Sequence, residues 1–200
     1  ALLEAAGRRV VGIDLLGHGT AEKPTDPNDY RDLEKRVLPA LPPEPVDGVG
    51  FSMGSQVLLW LAAHHPERFR RLVVSGIGRN LFQPDTGWSA SVVKAVRTGV
   101  ASTPELQYFA RLPEASDSDR TALAAFLARP DQIEFTPELL SAVTIPVLVV
   151  IGEDDFAGPA DPLVTVLPDA TMVTLSVVDH LVTMKIFVFI DAALNFLDAK

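Results

Sequence analysis

The stretch VDGVGFSMGSQ, residues 46–56, places a serine between two glycines. Its first half is an apolar run typical of a strand, and residues 55–65 carry apolar side chains at helical spacing. If the chain turns sharply from strand to helix at Ser52, side chains at positions 50 and 54 would collide unless both are small. The two glycines therefore predict a tight turn that exposes the Ser52 hydroxyl. The motif alone leaves open the alternative of a glycine-rich turn capped by a serine.

Strand and helix patterns alternate along the chain on both sides of this turn. The alternation predicts βαβ units and therefore an α/β fold, with a mostly parallel sheet and helices on both faces. Residues 88–140 show only helical patterns, which predicts a small helical cap at 85–142 inserted into a core formed by 1–84 and 143–200. Strand patterns occur at 9–14, 46–51, 71–75, 146–152 and 171–177, and helical patterns outside the cap at 1–6, 30–38, 55–65 and 181–198.

The composition narrows the classes of function. The chain has 200 residues, 48% of them hydrophobic, and a net charge of -9, which disfavours nucleic acid and favours a small uncharged or apolar partner. The absence of cysteine excludes a disulfide framework, a thiolate nucleophile and a Cys-ligated metal. No apolar stretch approaches the roughly 18 to 20 residues that span a bilayer, so we expect a soluble, cytoplasmic protein without a membrane span.

A serine hydroxyl is a poor nucleophile at neutral pH, so it requires a base and a group that orients the base. The sequence offers four histidines. His18 lies in a glycine turn, which favours a structural role, and His64 and His65 end the helix that begins at Ser52, about 16 Å away at 1.5 Å per residue. His180 lies in a loop between the last strand and helix patterns and can fold over the carboxyl edge of the sheet. We therefore predict His180 as the base.

Candidates for the orienting acid follow the most apolar strand pattern. Glu153, Asp154 and Asp155 form a run of three carboxylates directly after it. A solvated acidic turn is the alternative reading of this run. Asp179 is adjacent to His180 in sequence, and adjacent residues rarely point the right way to pair. The loop after Ile151 is therefore the better source of the acid, and the order is serine, acid, histidine.

Four separated stretches carry a resemblance to a known family. IDLLGHG at 13–19 is similar to a D-x-x-G-H-G turn, GFSMG at 50–54 to a nucleophile elbow, and HPERFRRLVV at 65–74 to the helix end and strand that follow the elbow. GEDD at 152–155 is similar to a G-x-x-D acid loop. The sequence thus resembles the α/β-hydrolase fold superfamily, of the esterase, lipase and carbon-carbon hydrolase kind. The resemblance selects Asp155 as the acid and gives His180 the place of the family histidine.

The sequence departs from the family pattern at its start. Family members begin with two or three further strands and a His-Gly loop that donates a second oxyanion N–H, so we expect the fold to be N-terminally incomplete. The chain is then either a fragment or a degenerate protein with half an oxyanion hole, which would lower the rate by about 10² to 10³. A missing strand would leave a gap in the sheet or force the strands at Val10 and Val49 to pair. Ser55 stands where the family commonly has glycine or alanine.

The resemblance implies a serine hydrolase that cleaves an ester or related acyl compound through an acyl-enzyme. Ser52 attacks, His180 moves the proton, Asp155 orients the imidazole and the Met53 N–H holds the oxyanion. The expected partner is a small apolar or acyl molecule; no metal or organic cofactor is implied, and the oligomeric state is not indicated. The same triad also serves carbon-carbon hydrolases, acyltransferases and cofactor-free peroxidases, and a binding protein with a vestigial triad is a further alternative.

Overall fold

The structure, a computed structural model, describes residues 2–83, 85–114, 118–130 and 132–198. The strands within these ranges are β1 Val46–Phe51, β2 Phe69–Ser75, β3 Val147–Gly152 and β4 Ala170–Leu175. The α-helices are α1 Leu2–Ala5, α2 Leu33–Val37, α3 Met53–His64, α4 Thr86–Thr98, α5 Pro104–Arg111, α6 Arg120–Leu127, α7 Pro137–Ser141, α8 Asp161–Val166 and α9 Phe187–Phe196. Short 3-10 turns occupy Pro27–Tyr30, Leu38–Ala40, Pro66–Arg68, Arg79–Leu81, Leu112–Glu114 and Thr183–Lys185.

Proximity of Cα positions divides the chain into two compact units. The first consists of Ala1–Val11, Leu41–Gln83 and Ile133–Lys200 and contains the sheet, and the second consists of Gly12–Ala40 and Pro84–Gln132. The predicted division into a core and a cap at 85–142 differs from this grouping in where it assigns 12–40 and 133–142. That division remains a prediction.

The sheet of the first unit has four parallel strands in the order β1-β2-β3-β4. Every residue of β3 is buried, as its unbroken apolar sequence predicts for a strand covered on both faces. All four strands run in one direction, so their carboxyl ends, at Phe51, Ser75, Gly152 and Leu175, lie along one edge. Loops that leave a parallel sheet at this edge are where reactive groups gather.

Helices cover both faces of the sheet. On one face, a side chain at Gly48 would meet Leu58 of α3 and Leu72 of β2. On the other face, Val73 packs with Phe189 of α9. Because Leu72 and Val73 are consecutive in a strand, their side chains point to opposite faces. The predicted parallel sheet with helices on both faces is therefore confirmed.

The predicted strand at 9–14 is wrong. No residue of this segment pairs with a strand in the described structure, and Val10 and Val11 are about half exposed. A β-branched run favours an extended backbone, but a strand also requires a ladder partner, and in the described sheet this segment has none, which leaves β1 as the edge strand. Val10 and Val49 accordingly do not pair.

The second unit has its own small core. Its centre is formed where α4 and α5 pack through Val92, Ala95, Leu106 and Ala110. Among the described residues of both units, no helix is long and apolar enough to cross a membrane.

Candidate active site

Ser52 lies at the junction of β1 and α3 in a backbone conformation that side chains rarely adopt, with φ 49° and ψ −114°. Such a conformation disfavours a non-glycine residue by about 1 to 3 kcal/mol and persists only when its surroundings hold it. Here the Ser52 N–H donates to the Ser75 carbonyl at the end of β2, at 2.7 Å. The predicted tight turn from strand to helix is present.

The Ser52 hydroxyl does not cap the helix that follows it. Four other helices do begin with a side chain that accepts from their first turn, as helix N-termini commonly do. Their capping residues are Asp85, Thr103, Asp119 and Thr136. The alternative reading of the motif, a serine that caps a glycine turn, is therefore not what the geometry shows.

Only one of the two motif glycines is required by space. A Cβ at Gly50 would lie 2.7 Å from the backbone carbon of Gly54 and from the nitrogen of Ser55. A Cβ at Gly54 would meet nothing within 4 Å. The expectation that both flanking positions must be small is thus correct for Gly50 and wrong for Gly54, because a Cβ at Gly54 would point into open space although the Gly54 backbone lies close to Gly50.

Asp155 and His180 form a buried pair. The His180 Nδ1 atom lies 2.9 Å and 3.0 Å from the two carboxylate oxygens of Asp155, and both residues are at most 6% exposed. An ionised carboxylate only accepts, so Nδ1 carries the proton of the neutral ring and Nε2 is free to accept one. The Ala157 N–H also donates to Asp155 Oδ1 at 2.9 Å, which fixes the carboxylate in place.

The three neighbouring carboxylates have other positions. Glu153 is exposed and accepts from the Val177 N–H at 3.2 Å, and Asp154 is exposed. Asp179 accepts from the N–H groups of Leu181 and Val182, at 2.8 Å and 3.1 Å, and so caps the turn after His180. Among these four acids, Asp155 is the one that contacts the imidazole.

The residues next to Ser52 and Asp155 converge on the His180 ring. The rings of Phe51 and Phe156 lie 4.6 Å and 4.3 Å from it, centroid to centroid. At the end of β2, Gly76 has φ +66°, and a Cβ there would lie 2.9 Å from His180 Cε1. The imidazole therefore lies beside the residue that follows Ser75, whose carbonyl holds the Ser52 N–H.

Sequence reasoning missed Gly76, Phe51 and Phe156 as residues that pack around the imidazole. A glycine directly after the strand pattern at 71–75 was the available signal for the first, since a close approach requires the absence of a side chain. The two phenylalanines carried no signal, because apolar residues beside a motif are as consistent with the core as with a site.

Met53 is the first residue of α3, a helix of 12 residues. The first N–H groups of a helix lack partners within the helix, and the helix dipole adds positive potential there. The Met53 N–H therefore lies where it can stabilise negative charge that develops next to Ser52.

Two of the other three histidines have structural surroundings. His18 in the second unit places Nδ1 3.2 Å from the Leu16 carbonyl and packs edge-on against Phe126. His64 places Nδ1 2.8 Å from the Trp60 carbonyl and stacks on the Trp60 ring. Within the described ranges, no three histidine, aspartate or glutamate side chains are grouped as metal ligands would be.

The aspartate of the D-x-x-G-H-G turn also has a local role. Asp14 accepts from the backbone N–H and the hydroxyl of Thr20, each at 2.9 Å. These hydrogen bonds hold the pKa of Asp14 below its usual value. A side chain at Gly19 would overlap the Asp14 carboxylate, so this turn closes on itself within the second unit.

Curated relatives share parts of this sequence. One aligned stretch of 76 positions is 46% identical to 2-hydroxymuconate semialdehyde hydrolase of Pseudomonas sp. strain CF600. This stretch covers 36% of this chain and 27% of that protein. A second aligned stretch of 125 positions is 37% identical to the 2-hydroxymuconate semialdehyde hydrolase of Pseudomonas putida. It covers 60% of this chain and 42% of that protein. The matched stretches thus span less than half the length of either relative.

A solved structure and a family model match more of the chain. CarC, a serine hydrolase involved in carbazole degradation, superimposes with a TM-score of 0.68 at 22% identity, over 94% of this chain and 78% of its own. The similarity to CarC shows a shared fold. The model of the alpha/beta hydrolase fold matches residues 1–132. The strained serine between β1 and α3, the parallel sheet and this match together show that the chain belongs to the α/β hydrolase fold family.

Proposed function

We propose that the chain is a serine hydrolase whose catalytic residues are Ser52, His180 and Asp155. His180 Nε2 takes the Ser52 proton as the hydroxyl oxygen attacks the substrate carbonyl, while Asp155 stabilises the imidazolium that forms. The Met53 N–H stabilises the tetrahedral oxyanion. His180 then gives its proton to the leaving group, and water hydrolyses the acyl-enzyme by the same steps. The observation that carries the proposal is the buried Asp155–His180 pair beside Gly76.

The Ser52 hydroxyl does not cap α3, and this supports Ser52 as the nucleophile. A serine that begins a helix ordinarily donates or accepts locally, which would compete with attack on a substrate. Ser52 makes no such capping hydrogen bond, and its backbone is held at φ 49°. The strain that this conformation stores is typical of functional positions.

A fluorophosphonate probe tests the proposal. We expect the probe to label the protein covalently at one site, Ser52→Ala to abolish the labelling, and Ser89→Ala to leave it intact. Ser89 is the matched control because it is an exposed serine near the start of α4. Its hydroxyl donates to the Asp85 carbonyl. A folded wild-type protein that the probe does not label would contradict the proposal and favour a binding protein with a vestigial triad.

The bond that is hydrolysed has two candidates. Ester hydrolysis is the expectation from the motifs. The two curated relatives are named for 2-hydroxymuconate semialdehyde, an aldehyde acid without an ester group, so hydrolysis of that compound breaks a carbon-carbon bond. This similarity favours the carbon-carbon hydrolase alternative as the second candidate for this chain.

Steady-state kinetics separate the two candidates. p-Nitrophenyl acetate and 2-hydroxymuconate semialdehyde are assayed with the same wild-type and Ser52→Ala preparations, and kcat/KM is compared. Ser52-dependent turnover that is higher for the acetate supports ester hydrolysis, and the reverse ratio supports carbon-carbon hydrolysis.

The cytoplasmic location remains a prediction.

A further inference from the structure

The Ser55 hydroxyl forms two hydrogen bonds with the backbone of one residue. Ser55 is fully buried in the first turn of α3. Its hydroxyl donates to the Ser75 carbonyl at 2.9 Å and accepts from the Ser75 N–H at 2.9 Å. A hydroxyl carries one donor and two acceptor lone pairs, so a single side chain can satisfy both groups of Ser75.

The same Ser75 carbonyl also accepts from the Ser52 N–H, at 2.7 Å. The carbonyl at the end of β2 therefore holds the strained turn at two points, the backbone of Ser52 and the side chain of Ser55. Gly50 of β1 also closely approaches the backbone between Gly54 and Ser55. The first turn of α3 is thus fixed against the ends of both β1 and β2.

We infer that Ser55 is a positioning residue for the nucleophile: its hydroxyl clamps the first turn of α3 to Ser75 and thereby fixes the Ser52 hydroxyl and the Met53 N–H. This inference rests on the proposed function. Ser55 itself touches no reacting atom and acts through the backbone that it holds.

The physical reason is the strain at Ser52. A backbone at φ 49° relaxes unless neighbouring contacts oppose the relaxation. A small displacement of a nucleophile from its attack geometry lowers the rate strongly, whereas it changes the binding of the substrate less. Loss of the clamp is therefore expected to lower kcat and to leave KM nearly unchanged.

The test compares serine variants of equal burial. Ser55→Ala removes both hydrogen bonds, and we expect kcat for p-nitrophenyl acetate and the rate of fluorophosphonate labelling each to fall about ten-fold, with KM within about two-fold. Ser75→Ala is the matched control: the Ser75 hydroxyl is equally buried and has no hydrogen-bond partner in the described structure, and its removal leaves the backbone groups in place. We expect Ser75→Ala to lower kcat clearly less than Ser55→Ala does, because the backbone groups that the clamp uses remain.

Two further variants separate positioning from general stability. Ser55→Thr keeps the hydroxyl and should restore most of the turnover. Ser55→Cys keeps the approximate shape but weakens both hydrogen bonds, and it should lower kcat even if Ser55→Ala fails to fold. Thermal unfolding of each variant identifies the temperature at which all are folded, and the rates are compared there.

The outcomes distinguish the clamp from the proposed function. A wild-type protein that is not labelled contradicts the proposed function and the clamp with it. Labelled wild-type protein with Ser55→Ala and Ser55→Cys at wild-type kcat contradicts the clamp alone. Equal losses in Ser55→Ala and Ser75→Ala also contradict it, because the effect would then follow from an emptied buried volume.

Discussion

At the scale of single residues, burial and hydrogen bonding separate four acids that the sequence presents as near equals. Asp155 is buried and contacts the His180 Nδ1 atom at 2.9 Å, whereas Asp154, one position away, is exposed. The choice between them from sequence depended on the family pattern. Composition and charge could not make it, because both residues have the same side chain.

Asp155→Asn should lower kcat by about 10³ to 10⁴. An Asn amide N–H that donates to His180 Nδ1 favours the ring tautomer with the proton on Nε2, and in that tautomer Nε2 cannot accept the Ser52 proton. Asp154→Asn should change kcat by less than about two-fold, as exposed substitutions usually do. Steady-state assays with p-nitrophenyl acetate on both variants measure the difference. Equal losses in the two would show that the acid is misassigned.

At the scale of elements, the turn between β1 and α3 depends on its two glycines unequally. The sequence presents them symmetrically about Ser52. The structure places Gly50 within contact of the α3 backbone and Gly54 facing open space. The asymmetry arises because one glycine lies in a strand and the other in a helix, so the same separation from Ser52 leads to different neighbours.

Gly50→Ala should lower the free energy of unfolding by about 1 to 3 kcal/mol, because its Cβ would be forced against the α3 backbone. Gly54→Ala should change it by no more than about 1 kcal/mol, and in the direction of greater stability, since alanine favours a helix. Urea unfolding of the two variants, monitored by circular dichroism, provides the comparison. A larger loss for Gly54→Ala would show that the elbow packs differently.

Element boundaries were predictable where local chemistry sets them. α5 spans Pro104–Arg111, and residues local to it set its start, because Thr103 caps it and Pro104 fits its first position. β4 ends at Leu175, two residues before the predicted end, and Val177 has φ 58°. The positive φ of Val177 must be imposed by the surrounding tertiary structure, because a β-branched residue by itself prefers an extended backbone.

At the scale of the whole chain, an arginine cluster joins distant parts of the first unit. Asp47 of β1 pairs with Arg8 at 2.7 Å, Arg70 at 3.2 Å and Arg71 at 3.3 Å, and its side chain is 9% exposed. Arg8 also donates to the Leu197 carbonyl at the end of α9, 189 positions away. The cluster connects the beginning of the chain, two strands and the last helix.

Asp47→Ala should lower the free energy of unfolding by about 1 to 3 kcal/mol, because the largely covered carboxylate accepts from several guanidinium groups. The partial exposure of the arginines keeps the effect below that of a fully buried pair. Asp191→Ala is the control, since Asp191 is exposed and accepts from Asn195 on the same helix. Chemical unfolding that gives equal values for both variants would contradict a role of the cluster in stability.

The sequence by itself determined the parallel sheet, its helices on both faces and the sharp turn at Ser52, because these follow from hydrophobic periodicity and from short-range steric rules. The family pattern in the sequence selected Asp155 and His180, whereas the tertiary structure alone decided that Gly76 and two phenylalanines pack around the imidazole and that Ser55 binds the end of β2. It also decided that residues 9–14 form no strand. Each of these depends on which distant residues become neighbours, and a pattern read along the chain carries no information about a partner that lies elsewhere in it.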